Sequence, residues 1–156
     1  MQQDKQIEVN CYNCGEPIYK SIGLVATKIL EEKKKLLILL DIYDEELARI
    51  QNKEIDEGLW NFAKLKFLPH CSIFDKDFNH NRQPIFITNQ ESNVNNADYL
   101  LITGDFSCDF ANKFAKIGYF YNPDPNNKHI KIISQLNIIS KNFNSFEKKQ
   151  GKWLRI

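Results

Sequence analysis

Glycine is scarce in this 156-residue chain, six in all, and none of it builds a phosphate cradle. The turn after the first apolar stretch, Asn10-Cys-Tyr-Asn-Cys-Gly15, holds a single glycine. A Gly-x-Gly-x-x-Gly turn, which lets backbone close on a pyrophosphate, is missing, and so is any Gly-x-x-x-x-Gly-Lys-Ser/Thr loop. Both absences argue against nucleotide hydrolysis. An excess of one charge is lacking too. The 21 basic and 20 acidic residues leave a net charge of +1, which argues against a nucleic-acid grip through a strongly basic face and leaves room only for a local patch. No basic leader followed by an apolar stretch opens the chain, since Met1–Glu8 is polar and mixed in charge. The longest apolar runs, such as Leu36–Leu40, fall far short of a membrane span. The expectation is a cytoplasmic protein without membrane contact, its cysteines (Cys11, Cys14, Cys71 and Cys108) held as reduced thiols.

What is present is ordinary for one globular domain spanning residues 1–156: 42% apolar and 26% charged residues, enough to bury a core without staples. Gln6–Tyr12 alternates Ile7, Val9 and Cys11 as a strand does. Pro17 suits a first helical turn, and Ile18, Ile22, Val25 and Ile29 follow at helical spacing to about Glu32. Leu36–Leu40 reads as a strand covered on both faces. A second helix over Glu45–Trp60 is expected to turn Leu47 and Ile50 inward, with Ile55, Leu59 and Phe62 on one face. Its polar middle, Gln51–Glu54, is a place where it could break. Phe67–Pro69 is short and extended, and Cys71–Gln83 is loop. Strands follow at Pro84–Thr88, Asp98–Thr103 and Ile117–Tyr121, with a short helix near Asp109–Ala115. The last helix covers about Asn127–Phe143 with Ile130, Ile133, Leu136 and Ile139 in rhythm, and Asn144–Ile156 is a polar tail. Apolar strands alternating with amphipathic helices predict an α/β domain with a mostly parallel sheet of about five strands, covered on both faces.

The chemistry-bearing residues form no completed site. Cys11-x-x-Cys14 has the spacing of a zinc half-site or a redox pair, with Cys14 near the start of a helix. The remaining candidates (His70-Cys71, His80, Cys108) are scattered, so buried structural thiols are the simpler reading and no metal is expected. Asp41, Asp105 and Asp109 fall near strand ends, where α/β enzymes place catalytic groups but where carboxylates also cap helices. A small redox or hydrolytic enzyme built on Cys14, Asp41 or Asp105 is the competing reading, and a deep cavity with perturbed acids would be its mark.

One stretch identifies the chain further. Ile55-Asp-Glu-Gly-Leu-Trp60 followed by Phe67-Leu-Pro-His70 resembles the Leu-Asp-x-x-Leu-Trp … Phe-Leu/Val-Pro-His signature of the chi subunit of bacterial DNA polymerase III. Gln83–Thr88, Asn95-Asn-Ala-Asp98 with the strand after it, and the Phe110-x-x-x-Phe114 helix continue the resemblance. It implies a three-layer α/β/α fold and a non-catalytic, cofactor-free subunit of the replicative clamp-loader assembly. Such a subunit bridges the psi subunit and the acidic C-terminal tail of single-stranded-DNA-binding protein, and meets DNA only indirectly. The tail ends in a Phe carboxylate, which calls for an apolar pocket and a cation. By resemblance the pocket falls on Tyr121, Lys131, Gln135 and Ile138. The family carries Lys, Arg and Tyr on that helix, so Lys131 is kept while Gln135 replaces Arg and Ile138 replaces Tyr. Gln removes a charge-assisted bond worth about 1.5–3 kcal/mol, which Lys128, Lys141, Lys152 or Arg155 would have to supply. The psi platform falls on Trp60, Phe62, Phe67 and Pro69, rigid aromatics of the kind that anchor interfaces.

Overall fold

Every residue from Leu36 to Leu40 is buried, and the strand they build runs through the interior of the sheet. In a computed structural model, residues 6–62, 68–75 and 82–156 are described. In chain order the elements are β1 (Glu8–Asn13), α1 (Tyr19–Glu31), β2 (Leu36–Leu39), α2 (Glu45–Phe62), β3 (His70–Ser72), β4 (Ile85–Thr88), β5 (Tyr99–Ile102), α3 (Cys108–Ala111), β6 (Lys116–Tyr121), α4 (Lys128–Ile139), β7 (Asn142–Lys149) and β8 (Lys152–Arg155). The strands form one sheet in the order β3-β4-β2-β5-β6-β1-β7-β8. All neighbours are parallel except the β7/β8 hairpin.

The two sheet faces carry separate cores. On one, Ile22, Ala26 and Ile29 of α1 and Ala48, Ile55 and Leu59 of α2 pack on Leu36, Ile38, Ile85 and Ile87. On the other, Phe110, Ala111, Ile132 and Leu136 from α3 and α4 pack on Val9, Cys11, Leu37 and Tyr119. That is the three-layer α/β/α sandwich, and it explains why β2, with a core on each side, is apolar at every position.

The sheet has eight strands rather than about five. β3 falls where a loop was expected, and β7 and β8 replace the end of the last helix and the polar tail. α4 stops at Ile139 because Ser140 turns extended (φ −85°, ψ 145°), its hydroxyl donating to the Asn137 carbonyl. β7 is Asn- and Lys-rich, so it lacks the apolar run that betrays a central strand. α2 is unbroken through Gln51–Glu54, and its inward stripe is Ala48, Ile55 and Leu59. Leu47 and Ile50, expected inside, are exposed. The crossing with α1 sets this rotation: a Cβ on Gly58 would lie 3.0 Å from the Tyr19 Cβ, so the helices meet where α2 has no side chain. In α4 the buried positions are Ile132 and Leu136, with Ile133 and Ile139 partly buried and Ile130 exposed.

The Asn95–Asp98 motif is structural. Buried Asn95 donates from Nδ2 to the carbonyls of Leu36 (3.2 Å) and Gln83 (3.0 Å), and the Asp98 carboxylate accepts from the Lys35 N–H (3.0 Å). Together they tie the entries of β2, β4 and β5. Among the described residues no helix is long and apolar enough to cross a membrane.

Candidate partner-docking sites

The end of α2 presents an exposed tryptophan on a fixed base. Leu68 is buried among the α1/α2 core residues. Two residues on, the His70 ring is almost wholly buried, with Nε2 2.7 Å from Asp56 Oδ1 and Nδ1 2.8 Å from the Leu68 carbonyl. Carboxylate and carbonyl both accept, so the ring donates to both when protonated. Trp60 lies against this ring, centroids 5.0 Å apart, yet remains 55% exposed. Leu59, one residue earlier, is 1% exposed. Within the signature, then, Leu59, Leu68 and His70 hold the structure and Trp60 faces solvent. Pro69 is half-buried. Phe62 closes α2, and its side chain, like the whole of Phe67, lies outside the described residues.

The positions read as a tail pocket divide into two groups. Lys131, Gln135 and Ile138 stand at i, i+4 and i+7 on α4 and share a stripe. Lys131 is exposed, Gln135 half-buried, and Ile138 81% exposed. Tyr121, at the end of β6, is half-buried in a stack of its own, 5.0 Å from Tyr119 and 5.4 Å from His129. It therefore belongs with the N-terminal turn of α4. That turn is held by Asp124, whose Oδ1 accepts from the N–H groups of Asn126 (2.8 Å) and Lys128 (3.2 Å). Partial burial raises the Asp124 pKa, but these bonds and nearby His129 outweigh it and leave the carboxyl below its ordinary range.

Lys128 is not available to replace the missing arginine. It turns inward, its Nζ 2.8 Å from Asp105 Oδ2 and 3.2 Å from Asp41 Oδ2. Its pKa is raised, first by the hydrogen bond to Asp105, then against burial by Asp41. Asp41 is buried, and its Oδ1 accepts from the N–H groups of Tyr43 and Asp44, both at 2.9 Å, at the entry to α2. Arg155 donates to Asn144 Oδ1. Lys141 and Lys152 remain exposed.

A cavity of about 400 Å³ does open at the C-terminal strand ends, lined by Asp41, Thr103, Gly104, Tyr121 and Lys128 among others. Of its carboxylates, Asp41 holds the entry to α2 and partners Lys128, Asp124 holds the start of α4, and Glu54 is exposed. No cysteine lines it. Cys11 and Cys14 point to opposite sheet faces, one in each core, so the pair offers neither a chelate nor a redox couple. Burial raises the Cys11 thiol to about 12 and the Cys71 thiol to about 11, and raises Cys14 and Cys108 as well. A protonated thiol is a poor nucleophile, so the arrangement lacks what the enzyme reading needs. Among the described residues no group of three or more His, Cys, Asp or Glu side chains could hold a metal ion.

Two further groups, one exposed and one partly buried, lie outside both expected sites. Leu47 and Ile50 on the first half of α2, with Tyr43 just before it, are exposed apolar residues. Tyr12, Phe146 and Trp153 gather on β1, β7 and β8.

Comparison with known proteins adds the family. Residues 16–131 match the family described as DNA polymerase III chi subunit, HolC. A protein of Rickettsia prowazekii (strain Madrid E), named probable DNA polymerase III subunit chi, is 32% identical over 69 residues, which is 44% of this chain and 36% of that protein. The match thus spans little more than a third of the relative's length.

Proposed function

The chain belongs to the DNA polymerase III chi subunit family, and from that premise we propose that it is a cytoplasmic, non-catalytic adaptor of the clamp-loader assembly. In this reading it bridges a psi subunit and the acidic C-terminal tail of single-stranded-DNA-binding protein. The observation that carries the reading is the exposure of Trp60 on the His70–Asp56 base. An aromatic side chain 55% open to water, fixed by buried neighbours, has the character of an interface anchor. Trp60 and Pro69, with Phe62 and Phe67, make the psi platform of the proposal.

The tail contact rests on the α4 stripe of Lys131, Gln135 and Ile138, with Tyr121 beside the helix start. Ile138 supplies apolar surface and Lys131 the cation. Lys141, exposed just beyond the helix, is the nearest replacement in sequence for the absent arginine. With Gln at position 135 the carboxylate is held less tightly than an Arg would hold it, and the salt dependence is correspondingly modest.

Calorimetry with the cognate tail peptide and co-purification with a psi partner test the two halves separately. The peptide is expected to bind, to lose binding when its terminal Phe is removed, and to bind about ten- to a hundredfold more tightly to Gln135→Arg, given about 1.5–3 kcal/mol for a hydrogen bond to a charged group. Trp60→Ala is expected to abolish psi co-purification and leave tail binding unchanged. Absence of both partners at low salt would overturn the adaptor reading.

A further inference from the structure

We propose that the cavity at the C-terminal strand ends docks a basic segment of a partner protein. One Arg or Lys side chain enters the cavity, and an apolar neighbour covers Leu47 and Ile50 on its rim. The sequence of α2 builds two stripes. Ala48, Ile55 and Leu59 turn into the core. Leu47, Ile50, Gln51 and Glu54, at i, i+3, i+4 and i+7, share another side of the helix, and all four line the cavity. Leu47 is 37% and Ile50 52% exposed, so this second stripe carries apolar surface that no described residue covers.

The opposite side is formed by Pro17 and Ile18 before α1 and by Tyr121, Asn122 and Asp124 at the end of β6 and beyond it. It is tied in place. Asn122 Nδ2 donates to the Glu16 carbonyl (2.8 Å), and Asp124 Oδ1 accepts from the N–H groups of Asn126 (2.8 Å) and Lys128 (3.2 Å). Thr103 and Gly104 line it after β5. A Cβ on Gly104 would lie 3.2 Å from Asp41 Oδ2, so glycine there lets the buried carboxylate stand close to the chain after β5. The space of about 400 Å³ falls in the range of pockets that enclose a side chain or small ligand.

Charge selects the occupant, and the charge lines the cavity itself. Asp41, Glu54 and Asp124 face it against one cation, Lys128. That ammonium is already shared by Asp41 (3.2 Å) and Asp105 (2.8 Å). Glu54 is exposed and makes no hydrogen bond or ion pair among the described residues. The other cations of the first turns of α2 do not reach the lining: Arg49 pairs with Glu45 (3.3 Å) and lies over Phe74, and Lys53 is absent from it. An acidic segment is therefore repelled, which keeps the acidic tail on the α4 stripe, since Lys131, Gln135 and Ile138 do not line the cavity. A small polycation would neutralise the carboxylates and leave Leu47 and Ile50 in water. A basic side chain next to an apolar one satisfies both, by a charge-assisted bond to Glu54 and burial of the rim. Trp60 stands about 15 Å further along α2 than Ile50, so the site is separate from the psi platform.

The test pans a phage-displayed library of random peptides against the full chain in about 50 mM salt. Peptides that set Arg or Lys beside Leu, Ile or Phe should be enriched. The strongest of them, synthesised with a fluorescein label, should bind saturably by anisotropy and more weakly as salt rises to about 300 mM. Glu54→Lys should weaken it about tenfold or more, and Ile50→Ser about threefold or more. Both residues are exposed, so circular dichroism should be unchanged. Replacing the peptide's basic residue with Glu should restore binding to Glu54→Lys and abolish it with the parent. Neither variant should alter psi co-purification or binding of the acidic tail peptide, so this proposal and the adaptor reading fail separately. No enrichment of basic peptides, or enriched peptides that bind both variants like the parent, would overturn the proposal. Spermidine binding as tightly as the peptide would overturn it in favour of a plain cation site.

Discussion

Replacing Lys128 with Met tests whether the ammonium between Asp41 and Asp105 is a structural tie. In the parent, Nζ is 3.2 Å from Asp41 Oδ2 and 2.8 Å from Asp105 Oδ2. Asp41 is 2% exposed, and its Oδ1 keeps the Tyr43 and Asp44 N–H groups in the variant, while Oδ2 loses the ammonium. A fully enclosed ion pair broken on one side costs about 3–5 kcal/mol. Here the Lys128 side chain is 41% exposed, so water can take its place and solvent screens the pair. The expected loss is therefore about 1–2 kcal/mol, nearer the cost of one unsatisfied acceptor. For a chain of this size that lowers Tm by about 2–8 °C. Urea melts of the parent, Lys128→Met, Asp41→Asn and the double variant should give a coupling of about 1 kcal/mol. The pH dependence has a definite sign. The folded pKa of Lys128 lies above its unfolded value, chiefly through Asp105, so its contribution is complete below about pH 10.4 and is lost as pH rises through the higher folded value. Lys128→Met should lack that alkaline loss. A coupling indistinguishable from zero, or a variant as stable as the parent, would refute the reasoning.

Trp60→Ala should lower Tm less than Leu59→Ala, for which about 2–5 kcal/mol is expected from burial; thermal melts compare the two, and equal losses would place Trp60 in the core. Native protein at pH 8 should resist iodoacetamide at Cys11 and Cys71, whose thiols are raised to about 12 and about 11, and all four cysteines should label in urea, as read by mass spectrometry. Gly58→Ala improves helix propensity by about 1 kcal/mol, but it places a Cβ 3.0 Å from that of Tyr19. A net loss of about 1 kcal/mol in urea melts is expected from the crowded crossing.

The central strands were legible because burial on both faces leaves only apolar residues, as at Leu36–Leu40, and no other element in the fold demands that. α2 was legible as a helix but not in its rotation. Leu47 and Ile50 carry the same periodic signal as Ile55 and Leu59, and the tight passage of Gly58 over Tyr19, a contact far apart in sequence, selects the inward stripe. β7 and β8 were illegible for the opposite reason. Edge strands with a solvated face need no apolar run, so Asn142 and Phe143 read as the end of the last helix and Asn144–Lys149 as polar tail until Ser140 is seen to break the helix. At the sites, the signature identified Trp60 and His70 together. It could not divide their roles, because a buried ring anchoring a loop and an exposed ring resting on it look alike in sequence.

The balanced charge is the instructive case. A net charge of +1 argues against phosphate binding only if charge is evenly spread, and here it is segregated. The start of α2 holds Asp44, Glu45 and Glu46 beside exposed Tyr43, Leu47 and Ile50, whereas residues 141–155 hold five cations and one acid. Screening makes charges more than about 8–10 Å apart nearly independent at physiological salt, so the net charge of the whole chain says little about either surface. The relevant quantity is charge within a Debye length of each surface, which requires knowing that β7 lies beside β1 and that alternate residues of the β7/β8 hairpin face opposite sides of the sheet. An adaptor with chemically distinct faces can then hold different partners at once, because each face excludes the charge that the other attracts.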